Sequence, residues 1–228
     1  EISCSLVGSE MCIRDRIITG HYGCGKTNYA INLAFRYAAQ GFKTAIADMD
    51  IVNPYFRTAD FRDKFKKNNI SYAGTAYANT NLDIPAVCFD LEAIICENDY
   101  IILDIGGDDA GAIILGSFNY VLKKYTENID MIYVVNKYRD TYDDIQSAVN
   151  LIDSIEKSAR MKHTKIVNNS NIGKITAIED ITGSFSFAEK LSDITGIPLL
   201  CHTAPAFLKC SALDNITEYV EIYVENIF

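Results

Sequence analysis

Apolar and polar positions along this chain follow two patterns that alternate. Short strand-like segments, most of them apolar, occur at residues 17–18, 43–47, 71–73, 100–104, 131–135, 165–167 and 196–200. Between them, apolar positions three or four residues apart predict helices at 28–39, 56–67, 110–125, 141–159, 185–195 and from Asp214 onward. The alternation predicts a three-layer α/β/α domain around a mostly parallel, twisted sheet of about seven strands.

A glycine-rich segment lies between the first predicted strand and the first predicted helix. It fits the phosphate-loop pattern of Gly, four residues and Gly-Lys-Thr, and it reads Gly20-His21-Tyr22-Gly23-Cys24-Gly25-Lys26-Thr27. The glycines permit a tight turn in which backbone N–H groups and the start of the helix face a phosphate chain. Lys26 adds a charge for the outer phosphates, and Thr27 offers a hydroxyl to Mg²⁺. The segment therefore predicts a nucleotide site of the P-loop class.

Acidic residues follow two of the predicted strands. Asp48 and Asp50 come after the second strand, and Asp104 ends the strand at 100–104. Ligands of parallel α/β sheets bind at the carboxyl edge of the strands, although a solvated acidic turn is the alternative for the first pair. Asp104 is placed to order Mg²⁺ or its waters. Gly107, three residues further, is placed to sense a terminal phosphate through its backbone N–H.

Composition narrows the class of protein. A chain of 228 residues with 49% hydrophobic and 22% charged residues suits one globular domain. The net charge of −9 disfavours nonspecific binding to nucleic acid or anionic lipid. No apolar run approaches the ~20 residues that span a bilayer. Seven cysteines without a CxxC pair are typical of reduced thiols, so we expect a cytoplasmic protein. Because of its charge and its short apolar runs, we expect no nucleic-acid or membrane partner.

The first sixteen residues are interpreted separately from the rest of the chain. Residues 5–16 resemble translated sequencing-adapter sequence of the kind found at the ends of some assembled chains. A native disordered tail is the alternative. We therefore predict a non-native or disordered segment at 1–16, which we exclude from function, and a single nucleotide-binding domain at 17–228.

Three segments in order resemble the MinD/ParA/CobQ-type nucleotide-binding superfamily, and within it a branch of bacterial ATP-binding proteins without a settled cellular role. They are residues 19–27, 48–57 and 103–109, and the resemblance extends from residue 17 to about residue 228. It implies ATP and Mg²⁺ as ligands, with Thr27 on the metal and Asp48 and Asp104 holding its water shell. Asp50, beside the metal, would position the attacking water, and Lys26 would act on the phosphates.

The resemblance also implies roles for residues outside those acids. The nucleotide would contact the whole loop from Gly20 to Thr27 and the next residue, Asn28. Gly107 would report the γ-phosphate to the segment after it. Asn168 and Asn169 match the positions at which the family contacts adenine. The loop at Ala204-Pro205 would close over the same base.

One departure from the family pattern is His21. Members with a deviant loop carry lysine there, and that lysine reaches across an ATP-sandwich dimer. The departure weakens the case for dimer-coupled hydrolysis in a nucleotide-dependent homodimer, and it leaves the case for ATP binding intact.

Several relatives are excluded by residues that this chain lacks. Residues 104–118 contain no cysteine, so we expect no iron–sulfur cluster, and carrier-type members use a CxxC pair. Membrane-cycling members end in a basic amphipathic helix, whereas residues 214–228 contain three glutamates and no lysine or arginine. The guanine motif Asn-Lys-x-Asp is matched only in its first two residues by Asn136-Lys137-Tyr138-Arg139.

Three functions remain open at this point. The first is an ATPase switch that hydrolyses ATP slowly and changes a segment facing an unknown protein partner, near 53–57 or 107–111. The second is an ATP-dependent ligase resembling dethiobiotin synthetase or the cobyrinate amidases, in which a small carboxylate attacks ATP. The third is a nucleotide-gated binding module without significant turnover. Basal phosphate release would favour the switch, and strict dependence on a small carboxylate would favour the ligase. Tight binding without turnover would favour the binding module.

Overall fold

The computed structural model describes residues 15–50, 61–74, 89–107, 109–139, 145–210, 213 and 217–224. The strands are β1 (Asp15–Gly20), β2 (Thr44–Met49), β3 (Ile70–Gly74), β4 (Tyr100–Ile105), β5 (Ile129–Val135), β6 (Lys165–Asn168), β7 (Leu199–Pro205) and β8 (Thr217–Val220). The helices are α1 (Lys26–Ala39), α2 (Arg62–Lys67), α3 (Leu91–Glu97), α4 (Asp109–Ser117), α5 (Asn119–Leu122), α6 (Ile145–Ala159), α7 (Ile178–Gly183) and α8 (Phe185–Thr195). Short 3₁₀ helices occupy Lys123–Asn128, Gly173–Ile175 and Ala206–Leu208.

The strands form one parallel sheet in the order β3-β2-β4-β1-β5-β6-β7-β8. Side chains alternate across it, so each face has its own core. On one face, the strands pack with α1 and α2. On the other face, they pack with α3, α4, α6 and α8. This arrangement confirms the predicted three-layer α/β/α architecture, with one strand more than expected.

The predicted C-terminal helix is wrong over the described residues. Thr217–Val220 is strand β8, which pairs in parallel with β7 from His202↔Thr217 to Pro205↔Val220. A β-branched and aromatic sequence of Thr, Glu, Tyr and Val suits a strand, and its few apolar residues fit a helical period equally well. Pairing with β7 decides between the two. Residues 214–216 and 225–228 lie outside the described part.

Other predicted boundaries moved for local reasons. The strand expected at 196–200 begins later and runs through Pro205, because Gly196 ends α8 in the left-handed conformation with φ +69°. The helix expected at 110–125 is divided into α4, α5 and a 3₁₀ helix. Helix α3 was not predicted, and it begins at an Asp90 side chain that accepts a hydrogen bond from Ala93 N at 3.1 Å. The predicted helices at 56–67 and 141–159 are described only from Arg62 and Ile145.

Among the described helices, none combines the length and the apolar composition needed to cross a membrane.

Strand β1 includes two residues of the segment that the sequence analysis set aside. Asp15 Oδ1 accepts a hydrogen bond from Ile101 N at 3.0 Å, and Arg16 forms an ion pair with Asp130. Burial raises the pKa of Asp15 from 3.8 to about 6, against the opposing effects of the Ile101 N–H and the Arg16 charge. Asp15 and Arg16 thus belong to the packed domain, while residues 1–14 lie outside the described part.

Replacing Asp15 with asparagine is expected to stabilise the protein above pH 6 and not at pH 4. The folded state holds the Asp15 proton more tightly than the unfolded state, so wild-type stability is lost as pH rises from about 4 through about 6. The full loss corresponds to roughly 3 kcal/mol, and asparagine keeps the acceptor for Ile101 N without the buried charge. Urea unfolding of both proteins between pH 4 and pH 8 measures the difference. Parallel stability curves would contradict the assignment.

Candidate functional site

The phosphate loop (residues 20–27) connects β1 to α1 in a conformation that requires glycine at two positions. Gly20 has φ +141°, and a Cβ there would lie 2.2 Å from Val134 O. Gly25 has φ +88°, and its Cβ would lie 2.3 Å from Asn169 Nδ2. Side chains at either position would meet both backbone strain and a filled space. The loop is therefore fixed by β5 on one side and by the residues after β6 on the other.

Lys26 is held inside this loop. Its Nζ donates to His21 O at 3.0 Å, and only 6% of the residue is exposed. Gly107, after β4, lies against the same group, because a Cβ on Gly107 would be 2.7 Å from both Lys26 Nζ and Tyr22 N. The structure thus brings together the loop lysine and the glycine that the sequence analysis placed at the terminal phosphate.

The two strand-end acids lie side by side on the α1 face of the sheet. Ile46 and Ile102 pack with α1, and each acid comes two residues later on its strand, so Asp48 and Asp104 point to the same face. Their Cα atoms are register partners across β2 and β4, and both residues are buried. Proximity of two carboxylates is unfavourable unless a cation or donors compensate it.

Donors compensate part of the charge on Asp48. Its Oδ1 accepts from Asp50 N at 3.1 Å, and its Oδ2 accepts from Tyr72 OH at 3.4 Å. Burial and the neighbouring Asp48 charge raise the pKa of Tyr72 to about 12, so Tyr72 remains a donor at neutral pH.

The donor set fits Mg²⁺ that keeps most of its own ligands. Within the described ranges, no cluster of three or more His, Cys, Asp or Glu side chains could hold a metal by itself. Mg²⁺ prefers oxygen ligands and commonly binds through one or two carboxylates, waters and substrate phosphates. Asp48 and Asp104 would supply the carboxylates, and Thr27, at the start of α1, would supply a hydroxyl from a cleft that it lines and the two acids do not. Asp50 lines the same cleft.

One cleft contains most of the predicted site. Its lining includes these residues from the sequence analysis: Tyr22, Gly23, Cys24, Gly25, Lys26, Thr27, Asn28, Asp50, Asn169 and Pro205. It also includes residues that the sequence analysis did not assign to the site: Asn136, Arg139, Asn171, Gly173, Val220, Ile222 and Val224. The incomplete guanine motif was a signal for Asn136 and Arg139. Nothing in the local sequence pointed to the last three, which were expected in a helix.

The two adjacent asparagines at the carboxyl end of β6 lie in different environments. Asn169 donates to Cys24 O at 2.8 Å and accepts from Thr203 Oγ1 at 2.6 Å, so it fixes the phosphate loop as well as lining the cleft. Asn168 is absent from the lining. Its Nδ2 lies 2.8 Å from Ser184 Oγ and 2.9 Å from His202 Nδ1, which leaves its amide engaged in the interior.

Arg139 brings a second cation to the loop. Its Nε would lie 3.3 Å from a Cβ on Gly23, so the side chain lies across the loop backbone. The turn before it is fixed, since Asn136 donates to Asn171 O at 2.9 Å and accepts from Tyr138 N at 2.9 Å. Two cations, Lys26 and Arg139, therefore border the phosphate loop.

Burial changes the pKa of two side chains in the phosphate loop, those of His21 and Cys24. Partial burial lowers the pKa of His21, the hydrogen bond between its Nδ1 and Tyr22 O (2.7 Å) opposes that effect, and Lys26 and Arg139 lower it further. Burial raises the pKa of the Cys24 thiol. Without a bound anion, both side chains are therefore neutral at pH 7.

Solved structures with the same fold belong to the P-loop NTPases. FtsY from Mycoplasma mycoides aligns with a TM-score of 0.56 and 18% identity, over 83% of this chain and 59% of that one. FtsY from Thermotoga maritima gives 0.55 and 19%, over 84% and 61%. The 54 kDa signal recognition particle protein from Aeropyrum pernix K1, in complex with GDP, gives 0.52 and 15%, over 85% and 43%.

These likenesses show the fold, which is that of P-loop NTPases. The chain spans about 60% of the length of the FtsY structures that it matches. No protein-family model and no curated protein matches the chain. The comparisons thus show the fold alone, and the residues of the cleft carry any assignment of function.

Proposed function

We propose that this protein binds ATP with Mg²⁺ and hydrolyses it slowly, as a switch that controls a protein partner. The observation that carries the proposal is the convergence of four elements at one edge of the sheet. These are the phosphate loop, the buried Lys26, the Gly107 backbone and the paired carboxylates Asp48 and Asp104. They come from the carboxyl ends of three strands, β1, β2 and β4, and together they would supply what phosphoryl transfer needs, which is positioning and charge stabilisation.

Each residue then has a distinct task. Backbone N–H groups of the loop and of the start of α1 bind the phosphates, and Lys26 and Arg139 neutralise them. Thr27, Asp48 and Asp104 would hold Mg²⁺ and its waters, and the ion would neutralise charge that develops on the phosphate oxygens. Asp50 orients the attacking water, and the close approach of Gly107 to Lys26 lets the backbone after β4 respond to the γ-phosphate.

The turn at Asn136 favours ATP over GTP in this proposal. A guanine site uses the carboxylate of Asn-Lys-x-Asp to accept hydrogen bonds from the base. Here Arg139 stands in that place, and a guanidinium can only donate. The GDP bound to the Aeropyrum pernix protein belongs to that protein, and the cleft residues of this chain support a different base.

Phosphate release assays separate the switch from its alternatives. Purified protein with ATP and Mg²⁺ is expected to release phosphate slowly without added substrate, and a pull-down with a non-hydrolysable ATP analogue is expected to retain a partner that is lost without nucleotide. Strict dependence of phosphate release on a small carboxylate would instead indicate a ligase. Tight binding without release would indicate a binding module.

Replacing Gly107 with alanine is expected to lower ATP affinity by roughly 5- to 100-fold, because the new methyl group would displace Lys26 Nζ or the Tyr22 backbone. Gly183→Ala is the matched control, since its methyl group would meet only Tyr138 OH at an ordinary 3.6 Å. Calorimetric titration with ATP and Mg²⁺ measures both variants. Unchanged affinity in Gly107→Ala would separate Gly107 from the phosphate site.

ATP-dependent association is expected to strengthen between pH 8 and pH 6, if His21 reaches the phosphates of a second copy. Burial, Lys26 and Arg139 lower the His21 pKa, whereas a nearby phosphate raises it, so protonation and the contact should increase together as pH falls. His21→Ala should remove this pH dependence, and His21→Lys should associate equally at both values. Sedimentation velocity with ATP and Mg²⁺ measures it. A wild type and a His21→Lys variant that both stay monomeric would exclude the contact.

A further inference from the structure

One side of the cleft is apolar. Val220, Ile222 and Val224 line it together with Pro205, and Val220 is the register partner of Pro205 across β7 and β8. We call these four residues the apolar wall. Much of the remaining lining consists of phosphate-loop backbone, asparagines and cations. The cleft therefore offers a polar surface to an anion and an apolar surface to a different part of the same ligand.

Two asparagines of α1 hold the segment that carries this wall. Asn32 donates from Nδ2 to Glu221 O at 2.9 Å and accepts at Oδ1 from Glu221 N at 2.8 Å. Asn28 donates to Glu221 O at 3.0 Å and accepts from Tyr223 N at 2.8 Å and from Val224 N at 3.2 Å. Side-chain amides thus bond the backbone after β8 in place of another strand.

We call Asn28 and Asn32 the clamp, and their spacing lets both side chains reach the segment after β8. Positions 28 and 32 are four apart, so both side chains lie on one face of α1. Asn28 follows the phosphate loop directly and lines the cleft, so the clamp joins the polar and apolar parts of the site.

The segment held by the clamp contributes to both the cleft and the core on the α1 side of the sheet. Tyr223 packs against Phe35 and Phe61, with ring centroids 5.2 Å and 6.0 Å apart, in the core on the α1 side of the sheet. Its neighbours Ile222 and Val224 line the cleft, and Val224, like Val220, also packs against that core. Glu221 is exposed and is absent from the lining.

We propose that the apolar wall is the subsite for the base of the bound nucleotide, and that Asn28 and Asn32 are positioning residues for it. This inference rests on the proposed nucleotide site. A purine is planar and largely apolar on its ring faces, so it is stabilised by burial against aliphatic side chains. The phosphates then occupy the loop. A ligand that spans both surfaces needs a base and a phosphate chain in one molecule.

Truncating a side chain of the apolar wall should lower the affinity for ATP without lowering the affinity for a phosphate chain alone. Calorimetric titrations with Mg²⁺ use two probes, ATP and inorganic tripolyphosphate. Ile222→Ala is expected to lower ATP affinity roughly tenfold and to leave tripolyphosphate affinity unchanged. Glu221→Ala is the matched control from the same segment, and it should bind both probes as the wild type does, because its backbone still forms the clamp.

Removing the clamp tests the positioning role by a second route. Asn32 is not part of the lining, so Asn32→Ala touches no ligand. It is expected to lower ATP affinity several-fold, to leave tripolyphosphate affinity unchanged, and to speed hydrogen exchange at the Glu221 amide. Thermal melting establishes that each variant is folded.

Different results would overturn the base subsite, the positioning role and the nucleotide site. Unchanged ATP affinity in Ile222→Ala, or an equal loss for ATP and tripolyphosphate, would overturn the apolar wall as a base subsite. Faster exchange at Glu221 with unchanged ATP affinity in Asn32→Ala would overturn the positioning role. A wild type that binds neither probe would overturn the nucleotide site together with this inference.

Discussion

Lys26→Ala is expected to abolish ATP binding, with a loss of affinity of ~10²-fold or more. The Lys26 ammonium is buried inside the phosphate loop, 3.0 Å from His21 O and next to the Gly107 backbone, so it can reach the outer phosphates without leaving its position. Charge-assisted hydrogen bonds contribute about 1.5–3 kcal/mol each, and two of them account for the loss.

Calorimetric titration with ATP and Mg²⁺ measures this effect, and Lys43→Ala is its control. Lys43 is an exposed lysine just before β2, at the edge of the sheet away from the phosphate loop, and its side chain is absent from the cleft. Equal melting temperatures would show that the fold is unchanged. A Lys26→Ala variant that retains ATP affinity within a few-fold would contradict the role of Lys26.

Asp50→Ala is expected to reduce ATP turnover by ~10²-fold or more while ATP affinity changes by only a few-fold. Asp50 lines the cleft, and its backbone N–H, which donates to Asp48 Oδ1, is retained in the variant. The phosphate loop and the paired carboxylates are therefore preserved, and only the group proposed to orient water is lost.

Single-turnover phosphate release and equilibrium binding separate these two quantities for Asp50→Ala. Asp193→Ala, which removes an exposed carboxylate from α8, controls for the change in net charge. An equal loss of binding and turnover in Asp50→Ala would assign Asp50 to holding the nucleotide, and not to positioning water.

The fold and the placement of the phosphate loop and the two acids could be predicted because local rules determine them. A glycine pattern specifies the loop, and the strand period places Asp48 and Asp104 on one face of the sheet. Since parallel strands end at one edge, two acids far apart in sequence become register partners. The predicted three-layer architecture follows from the same alternation of strands and helices.

The apolar side of the cleft depends on contacts between distant parts of the chain. β8 is a strand because β7 offers an edge, and the residues after it are held by Asn28 and Asn32, which lie about 190 positions earlier. A short apolar sequence fits both a helix and a strand, so its period alone predicted the wrong element.

The two asparagines at the carboxyl end of β6 are adjacent in sequence but differ in their contacts. Asn168 is the last residue of its strand and its amide bonds inward, whereas Asn169 comes after the strand and reaches the phosphate loop. The sequence places both at the correct edge of the sheet. Only the packing around His202 and Ser184 distinguishes the interior residue from the one in the cleft.

We propose above that the cleft binds ATP with Mg²⁺. Calorimetric titration of the wild-type protein with ATP and with GTP, each with Mg²⁺ and with a chelator, tests it directly. We expect one ATP per chain, an affinity that falls when Mg²⁺ is removed, and weaker binding of GTP. No binding of ATP in the presence of Mg²⁺, or a preference for GTP, would contradict it.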